Sequence, residues 1–140
     1  MEKAIEIKIT FPGGKKVNAE FDGFVVKTDQ PVKYGGDNSA PAPLDYFFAS
    51  IGTCAGFYIL SFCEKRKIPT ENISLVQHIE YGKTTDGKIF LERIIIEILV
   101  PTDFPEKYHN ALIKAAENCA VKKTIMNPPK FEIRTAVQKL

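Results

Sequence analysis

Hydrophobic and polar residues alternate in several short runs along the chain, and this period-two pattern is typical of β-strands. The first third of the sequence contains three such runs, which predict a meander of strands over residues 4–10, 16–21 and 24–28. Glycine-containing segments separate the runs, and they supply the turns that a meander requires. We therefore expect the chain to open with antiparallel strands.

Two longer alternating runs follow in the second half of the chain, over residues 73–81 and 88–100. They flank Thr84-Thr85-Asp86-Gly87, a sequence typical of a β-hairpin turn. Residues 94–96 are apolar on both faces of the second strand, which predicts that this strand is central in its sheet. A final strand is predicted over residues 130–137.

The longest apolar run contains no charged side chain between Tyr46 and Cys63. Pro43 suits the first position of a helix and Asp45 its first turn, so a helix is predicted from residue 43 to about residue 67. A second helix is predicted from about residue 105 to 118, and residues 120–126 are compatible with a short third one. The order βββ-α-ββ-α-β indicates an α+β fold with mostly antiparallel strands.

A helix of 18 apolar residues is roughly 27 Å long, close to the thickness of a bilayer's hydrocarbon core. Glycine, serine, threonine and cysteine dilute this run, which favours a buried helix over a single membrane anchor. A helix that is apolar on all sides needs cover on two sides, and one small sheet covers only one. Small residues at Gly52, Ala55 and Gly56 would allow two such helices to approach closely. We therefore expect an obligate homodimer.

The composition is that of an ordinary soluble protein, with 44% hydrophobic and 26% charged residues in 140. This length predicts one domain over residues 1–140. A net charge of +2 gives no reason to expect a nucleic acid or a membrane surface as partner. The first residues fit a strand better than a secretory signal, and three cysteines are an odd number. We expect a cytoplasmic protein with reduced thiols.

The cysteines are the candidate reactive groups. Cys54 and Cys119 lie on apolar faces of two different predicted helices, whereas Cys63 follows Cys54 by nine residues and falls on the opposite side. A small core residue is the simplest role for Cys63. Cys119 precedes AVKKTI, so it can start a helical turn whose amide N–H groups favour a thiolate. Lys122 and Lys123 would add positive charge, or would simply be solvated.

No metal or cofactor site is predicted. The sequence contains only two histidines, His78 and His109, and both fall on polar faces of their elements. A paired Cys-x-x-Cys motif, a glycine-rich phosphate loop and a serine-histidine-aspartate order are all missing from the sequence.

Two motifs resemble those of the OsmC/Ohr family, the osmotically inducible and organic hydroperoxide resistance proteins. The first is GGDNSAPAPLDYFFASIGTC, followed by a long helix that ends in KRKIP, and the second is CAVKKTI. The resemblance covers nearly the whole chain and is nearer to the broad OsmC-like branch. It implies an OsmC-like fold, with an antiparallel sheet and a long central helix carrying Cys54, in an intertwined homodimer with sites at the subunit interface.

The resemblance also implies a cysteine-based peroxidase for organic hydroperoxides, with Cys54 as the peroxidatic and Cys119 as the resolving cysteine. Such an enzyme needs no cofactor, but it needs an external dithiol reductant, for which the family suggests a lipoyl-type compound. An apolar pocket would favour organic hydroperoxides over hydrogen peroxide, and its candidate wall residues are Phe47, Phe48, Phe57 and Tyr58.

Two residues depart from the family pattern. Lys16 stands where we expect the arginine that holds the thiolate, and lysine lacks the planar guanidinium fork. Asp45 replaces a glutamate and is nine residues before Cys54, so a continuous helix would place the two on opposite faces. Asp45 can equally serve as an N-terminal helix charge. The change from arginine to lysine favours an alternative function, in which the protein binds an apolar or thiol-bearing small molecule and has little peroxidase activity.

Overall fold

The computed structural model describes residues 5–140 and shows an α+β chain that divides after Ser50 into two compact units. The first unit contains a three-stranded antiparallel sheet in the order β1 (Lys8–Gly13), β2 (Lys16–Phe21) and β3 (Phe24–Thr28). The predicted meander is therefore confirmed, although residue 4 of the first predicted strand lies outside the described residues. The pairing of β1 with β2 is interrupted between Thr10 and Gly13, which is where Pro12 lies.

The second unit contains an antiparallel pair, β4 (Ser74–Lys83) and β5 (Ile89–Leu99), and two short helices, α2 (His109–Glu117) and α3 (Ala120–Met126). The long helix α1 (Pro43–Lys65) begins in the first unit and continues into the second. The predicted second helix forms as one turn of 3₁₀-helix at residues 106–108 followed by α2, whereas the 3₁₀ turn at residues 32–34 was not predicted. The predicted antiparallel strands and the long helix are confirmed.

Local hydrogen bonds fix both ends of α1. Asp45 accepts a hydrogen bond from the backbone N–H of Ala42 at 2.9 Å, which is the reciprocal half of a capping box. Pro43 occupies the first helical position, where its missing N–H costs nothing. At the other end Ile68 N–H donates to the Cys63 carbonyl at 2.9 Å, and Lys67 adopts a left-handed conformation with φ 56°. The helix ends two residues before the predicted boundary.

The core of the second unit forms where α1 packs on α2. Ile59 and Cys63 of α1 are buried with Phe104 and Leu112, which confirms Cys63 as a core residue. By length and composition alone α1 could cross a membrane, yet one of its faces is part of this core. The structure thus has the features of a small soluble domain, in which α1 contributes one face to the core.

Two predictions about strands are wrong. Residues 130–137 form no strand, and β5 is not central, because within residues 5–140 it pairs only with β4. Alternation in a sequence shows that a segment can form a strand, but a strand also needs a neighbour to accept its hydrogen bonds. The described part of this chain offers no such neighbour to either segment.

A buried carboxylate organises the loop between β3 and α1. Asp29 is fully buried and accepts hydrogen bonds from the backbone N–H of Gln30 at 2.8 Å, of Asp37 at 3.3 Å and of Ser39 at 3.0 Å. The Ser39 hydroxyl donates a further one at 2.6 Å. These bonds, the Ser39 hydroxyl's first, hold the pKa of Asp29 well below its ordinary value. Only glycine fits at Gly36, because a Cβ there would lie 2.0 Å from the Gln30 carbonyl oxygen.

Replacing Asp29 should therefore destabilise the protein in a pH-dependent way. An aspartate in the unfolded chain has a pKa of about 3.9. In the folded chain the pKa of Asp29 is lower. The ionised carboxylate thus stabilises the fold fully above that pH, and this stabilisation is lost as the pH falls below it. We expect Asp29→Asn to lower the thermal midpoint at neutral pH, with the difference from wild type shrinking on acidification.

The matched control is Asp22→Asn, which changes an exposed carboxylate in the β2–β3 turn. Thermal melts followed by circular dichroism across the acidic range would measure both variants. A difference between Asp29→Asn and wild type that stayed constant with pH would contradict the stabilising role of the carboxylate.

Candidate functional site

The second unit brings Cys54 and Cys119 together. Cys54 lies on α1 and is half-buried, whereas Cys119 is buried and is the residue that immediately precedes α3. A hydrogen bond joins the two thiols, and no disulfide is formed, since all three cysteines are free. Two cysteines that are 65 positions apart in the sequence, 54 and 119, are therefore direct neighbours in the fold.

The start of α3 directs backbone N–H groups at the Cys54 sulfur. The N–H of Val121 makes the largest contribution, and it lowers the pKa of Cys54. Burial works against this effect, while the Cys119 thiol and the N–H of Ala120 add to it. N–H groups at a helix start favour a negative charge because they have no partner within the helix. Cys54 is therefore the cysteine that this environment prepares to be a thiolate.

Cys119 has the opposite character. Burial raises its pKa, and the hydrogen bond from the Lys122 backbone N–H to its sulfur, at 3.4 Å, does not offset that. The Ile51 carbonyl oxygen, at 3.8 Å, can accept the thiol proton. We had expected the amides of the following helix to favour a thiolate at Cys119. The structure shows that their main effect falls instead on Cys54.

Cys63 takes no part in this arrangement. It is fully buried in the core of the second unit, and burial raises its pKa. Its neighbours Ile59, Phe104 and Leu112 are apolar, so the thiol has the environment of an inert core residue.

Two predicted site residues belong to the first unit. Lys16 forms an ion pair with Asp37 at 2.8 Å, and this hydrogen bond raises the pKa of Lys16. Asp45 makes the capping contact to Ala42 described above. Asp45 therefore acts at the N-terminus of α1, as its alternative role predicted. The roles of Lys16 and Asp45 toward the cysteines stay predictions.

The four aromatic residues predicted to line a pocket form two pairs on α1, each made of neighbours in the sequence. The rings of Phe47 and Phe48 are 5.7 Å apart, and those of Phe57 and Tyr58 are 5.4 Å apart. The second unit also contains an apolar cavity of about 310 Å³, to which Lys122 and Glu117 contribute one charge of each sign. Phe57 and Tyr58 lie outside it. Isoleucines form most of its wall: Ile51, Ile94, Ile96, Ile98, Ile113 and Ile125.

The histidines are not positioned as metal ligands. His78 is exposed on β4 and lies 4.0 Å from Glu97, and the partly exposed His109 lies 3.7 Å from Glu106. Among residues 5–140, no group of three or more histidine, cysteine, aspartate or glutamate side chains could hold a metal ion.

Sequence reasoning anticipated the backbone N–H groups at the start of α3 but assigned them to Cys119, and it missed the Ile51 carbonyl. The N–H groups of Val121 and Ala120 and the carbonyl of Ile51 contact the cysteine pair. A cysteine directly before a helical run was the available signal, because a residue at this position can accept a hydrogen bond from the third residue after it. Which sulfur the other N–H groups reach depends on how α1 packs against α3, and the local sequence does not contain that information.

Comparison with known proteins identifies the fold. The sequence model of the family described as OsmC-like protein matches residues 36–134. Three solved structures are similar over nearly the whole chain. A Psychrobacter arcticus protein named for osmotic stress induction and detoxification response has 18% identity, a TM-score of 0.71 and coverage of 89% of this chain and 90% of its own.

The organic hydroperoxide resistance protein OsmC of Legionella pneumophila has 21% identity and a TM-score of 0.60, with coverage of 88% and 89%. A Vibrio cholerae protein named for organic hydroperoxide resistance, with captopril bound in one of its active sites, has 16% identity, a TM-score of 0.60 and coverage of 91% and 89%. No curated protein matches the sequence. At these identities the structural likeness establishes the fold.

Titration can test whether the pKa of Cys54 is lower than that of an ordinary cysteine. We expect thiolate absorbance in the ultraviolet to show one cysteine that ionises below the ordinary pKa of about 8.5. Cys54→Ser should remove that transition, while Cys63→Ala should keep it. If the low transition persisted in Cys54→Ser, the α3 amides would be stabilising a different thiolate.

Proposed function

Because the chain belongs to the OsmC-like protein family, we propose that it is a thiol peroxidase that reduces organic hydroperoxides. Cys54 is the peroxidatic and Cys119 the resolving cysteine. One observation carries this assignment: two free thiols meet at the start of α3, where backbone N–H groups of Val121 and Ala120 reach Cys54 and lower its pKa, while Cys119 is buried beside it. A peroxidase needs this inequality, since one sulfur must attack as a thiolate while the other keeps its proton.

In the first step the Cys54 thiolate attacks the terminal oxygen of the hydroperoxide. The sulfur–oxygen bond forms as the oxygen–oxygen bond breaks, and the organic fragment leaves as an alkoxide that takes up a proton to become an alcohol. Cys54 is oxidised to a sulfenic acid and the peroxide is reduced. The N–H groups of Val121 and Ala120 hold the sulfur in its reactive charge state before the attack.

In the second step the Cys119 sulfur attacks the sulfenic sulfur of Cys54. A disulfide forms and water leaves with the sulfenic oxygen and the thiol proton. The contact between the two thiols means that no large movement is needed. An external dithiol, of the lipoyl type in our proposal, then exchanges with the disulfide and restores both thiols while it becomes a disulfide itself.

The preference for organic substrates rests on the surroundings of Cys54. The pairs Phe47–Phe48 and Phe57–Tyr58 are carried by the same helix as Cys54, and Phe57 is 59% exposed. These aromatic rings offer apolar surface to an alkyl chain, which hydrogen peroxide lacks. We propose that they form the substrate pocket.

Lys16 is proposed to supply the positive charge that the family takes from an arginine, and Asp45 to take the place of the orienting glutamate. A lysine gives charge without a two-pronged hydrogen bond, so we expect a slower enzyme than one with arginine. Asp37 already pairs with Lys16 and competes for its charge.

A second copy of the chain is the proposed partner. On α1 the face opposite the core exposes Phe57 and Leu60, and a Cβ on Gly56 would meet nothing within 4 Å. Ala55 is buried in its own unit and Gly52 is approached by Gln77 of β4, so Gly56 is the small residue left for close contact between helices. We further propose that this dimer is cytoplasmic, where a dithiol reductant is available.

The peroxidase activity predicts different outcomes for the three cysteines. Cys54→Ser should lower consumption of cumene hydroperoxide by at least about 1,000-fold, since the nucleophile is lost. Cys119→Ser should allow one turnover per chain and stop at a sulfenic acid, which mass spectrometry detects after trapping. Cys63→Ala is the control, and it should keep multiple turnovers. Full activity in Cys54→Ser would exclude the peroxidase mechanism.

The charge at position 16 predicts a smaller effect. An opposite charge beside a thiolate lowers its pKa by about one unit or more, so Lys16→Gln should slow the reaction with peroxide about 10-fold. Lys16→Arg should match or exceed wild type. Lys15→Gln, one residue away, is the matched control. Equal rates of peroxide reduction in Lys16→Gln and Lys15→Gln would remove Lys16 from the mechanism.

The alternative function is binding of a thiol or an apolar small molecule. The observation that favours it is captopril, itself a thiol, in one active site of the Vibrio cholerae relative. Cys54 would then form a mixed disulfide with its ligand. Intact-mass spectrometry of protein purified with and without reductant tests this function, which predicts a mass adduct at Cys54 that reductant removes.

A further inference from the structure

The first turn of α3 finds its hydrogen-bond acceptors on two cysteine side chains. The first three residues of this helix, Ala120, Val121 and Lys122, have backbone N–H groups without a partner inside the helix. The N–H groups of Ala120 and Val121 donate to the Cys54 sulfur. The N–H group of Lys122 donates to the Cys119 sulfur at 3.4 Å. Two sulfurs therefore cap this helix, where a serine or aspartate oxygen is the usual acceptor.

α3 is a short helix on the surface of the second unit. It has seven residues, and helices shorter than about 12 residues are marginal on their own. None of the seven is buried: Val121 is half-buried, while Ile125 is 43% and Met126 69% exposed. Buried apolar side chains therefore contribute little to the stability of α3, and its contacts with the two sulfurs contribute a large share.

A disulfide between Cys54 and Cys119 would weaken these contacts. The two sulfurs of a disulfide are about 2.05 Å apart, closer than the heavy atoms of a hydrogen bond, so both side chains must move to form it. The thiolate of Cys54 accepts charge-assisted hydrogen bonds, which are about twice as strong as neutral ones. A disulfide sulfur carries no charge. Oxidation thus leaves the first N–H groups of α3 with poorer acceptors.

The same disulfide would be difficult for a second molecule to reach. Cys119 is 1% exposed and Cys54 is half-buried. Exchange with an external dithiol requires its thiolate to approach one of the two sulfurs directly. Lys122 and Ile125 of α3 form part of the wall of the apolar cavity. Ile51 belongs to the same wall, and its carbonyl contacts Cys119, so movement of α3 would open a path along the cavity to the sulfurs.

We propose that α3 is a redox-sensitive gate: it stays folded while Cys54 and Cys119 are thiols, and it opens when they form a disulfide, which lets the external dithiol reach the oxidised pair. The role as a gate for the reductant rests on the proposed peroxidase function. The opening itself rests only on the contacts between α3 and the two sulfurs, so any oxidant that joins the sulfurs should cause it. Reduction restores the acceptors, and α3 folds again.

Hydrogen exchange tests the opening without any peroxide. Diamide converts the two thiols to a disulfide, and its nitrogen–nitrogen double bond takes up the two electrons and two protons that they lose. We expect backbone amides of residues 120–126 to exchange at least about 10-fold faster in the disulfide form, because local opening exposes them to water. Mass spectrometry of peptides measures this rate, and dithiothreitol should restore slow exchange. Peptides from α2 are the internal control and should exchange equally in both forms.

Two cysteine variants separate the disulfide from other effects of diamide. Cys54→Ser cannot form the disulfide but keeps Cys119, so diamide should leave exchange in its residues 120–126 unchanged. Cys63→Ala keeps both members of the pair and should respond to diamide like the wild type.

Limited proteolysis provides a second measurement. Trypsin cleaves after lysine where the backbone opens, and α3 contains Lys122 and Lys123 while α2 contains Lys114. We expect cleavage within α3 to be at least about 10-fold faster in the disulfide form than in the reduced form. Cleavage after Lys114, followed in the same sample, should not change.

The outcomes distinguish this proposal from the proposed function. If the disulfide forms and α3 still exchanges slowly, the gate is overturned even in a protein that reduces hydroperoxides. If α3 opens in the disulfide form of a protein without peroxidase activity, the opening is supported and the peroxidase function fails. Faster exchange in α2 as well would mean general unfolding and would overturn the gate, as would a protein in which diamide forms no Cys54–Cys119 disulfide.

Discussion

The direction of a few backbone N–H groups distinguishes the environments of Cys54 and Cys119. Val121 and Ala120 begin α3 and direct their N–H groups at the sulfur of Cys54, while Cys119, one residue earlier, is held in the same turn. One helix start therefore separates the properties of two identical side chains. Cys54 gains donors that stabilise its negative charge, and Cys119 gains burial that disfavours one. A shift of α3 against α1 would remove this difference without changing any residue.

Hydrogen bonds to a buried carboxylate hold the loop between β3 and α1 in place. Asp29 is buried with four hydrogen bonds, and within residues 5–140 no buried side-chain nitrogen or oxygen lacks a partner. A buried charge without donors would cost several kilocalories per mole, so these bonds largely determine the path of the loop. The loop leads to Pro43, where α1 begins. Hydrogen bonds in the first unit thus hold the N-terminal end of α1, and apolar packing in the second unit holds its C-terminal end.

Several large apolar side chains, by contrast, remain exposed to solvent. Phe57 and Leu60 on α1, the isoleucine-lined cavity beside β5 and the segment from Phe131 to Val137 all expose residues that normally avoid water. The second copy of the chain that we propose as partner would cover surfaces of this kind.

Short-range sequence patterns were sufficient to predict most of the helices and strands. Alternation located the strands of the meander, and Pro43 and Asp45 located the start of α1, because turns and helix caps depend on adjacent residues. Alternation over 130–137 was recognised equally well, yet no strand forms there, since pairing requires an edge that local sequence cannot supply. The sequence by itself determined the α+β order, the family and the cysteines to consider. Only the tertiary structure decided where the amides of α3 act, because the packing of α1 against α3 brings the N–H groups of Val121 and Ala120 to Cys54.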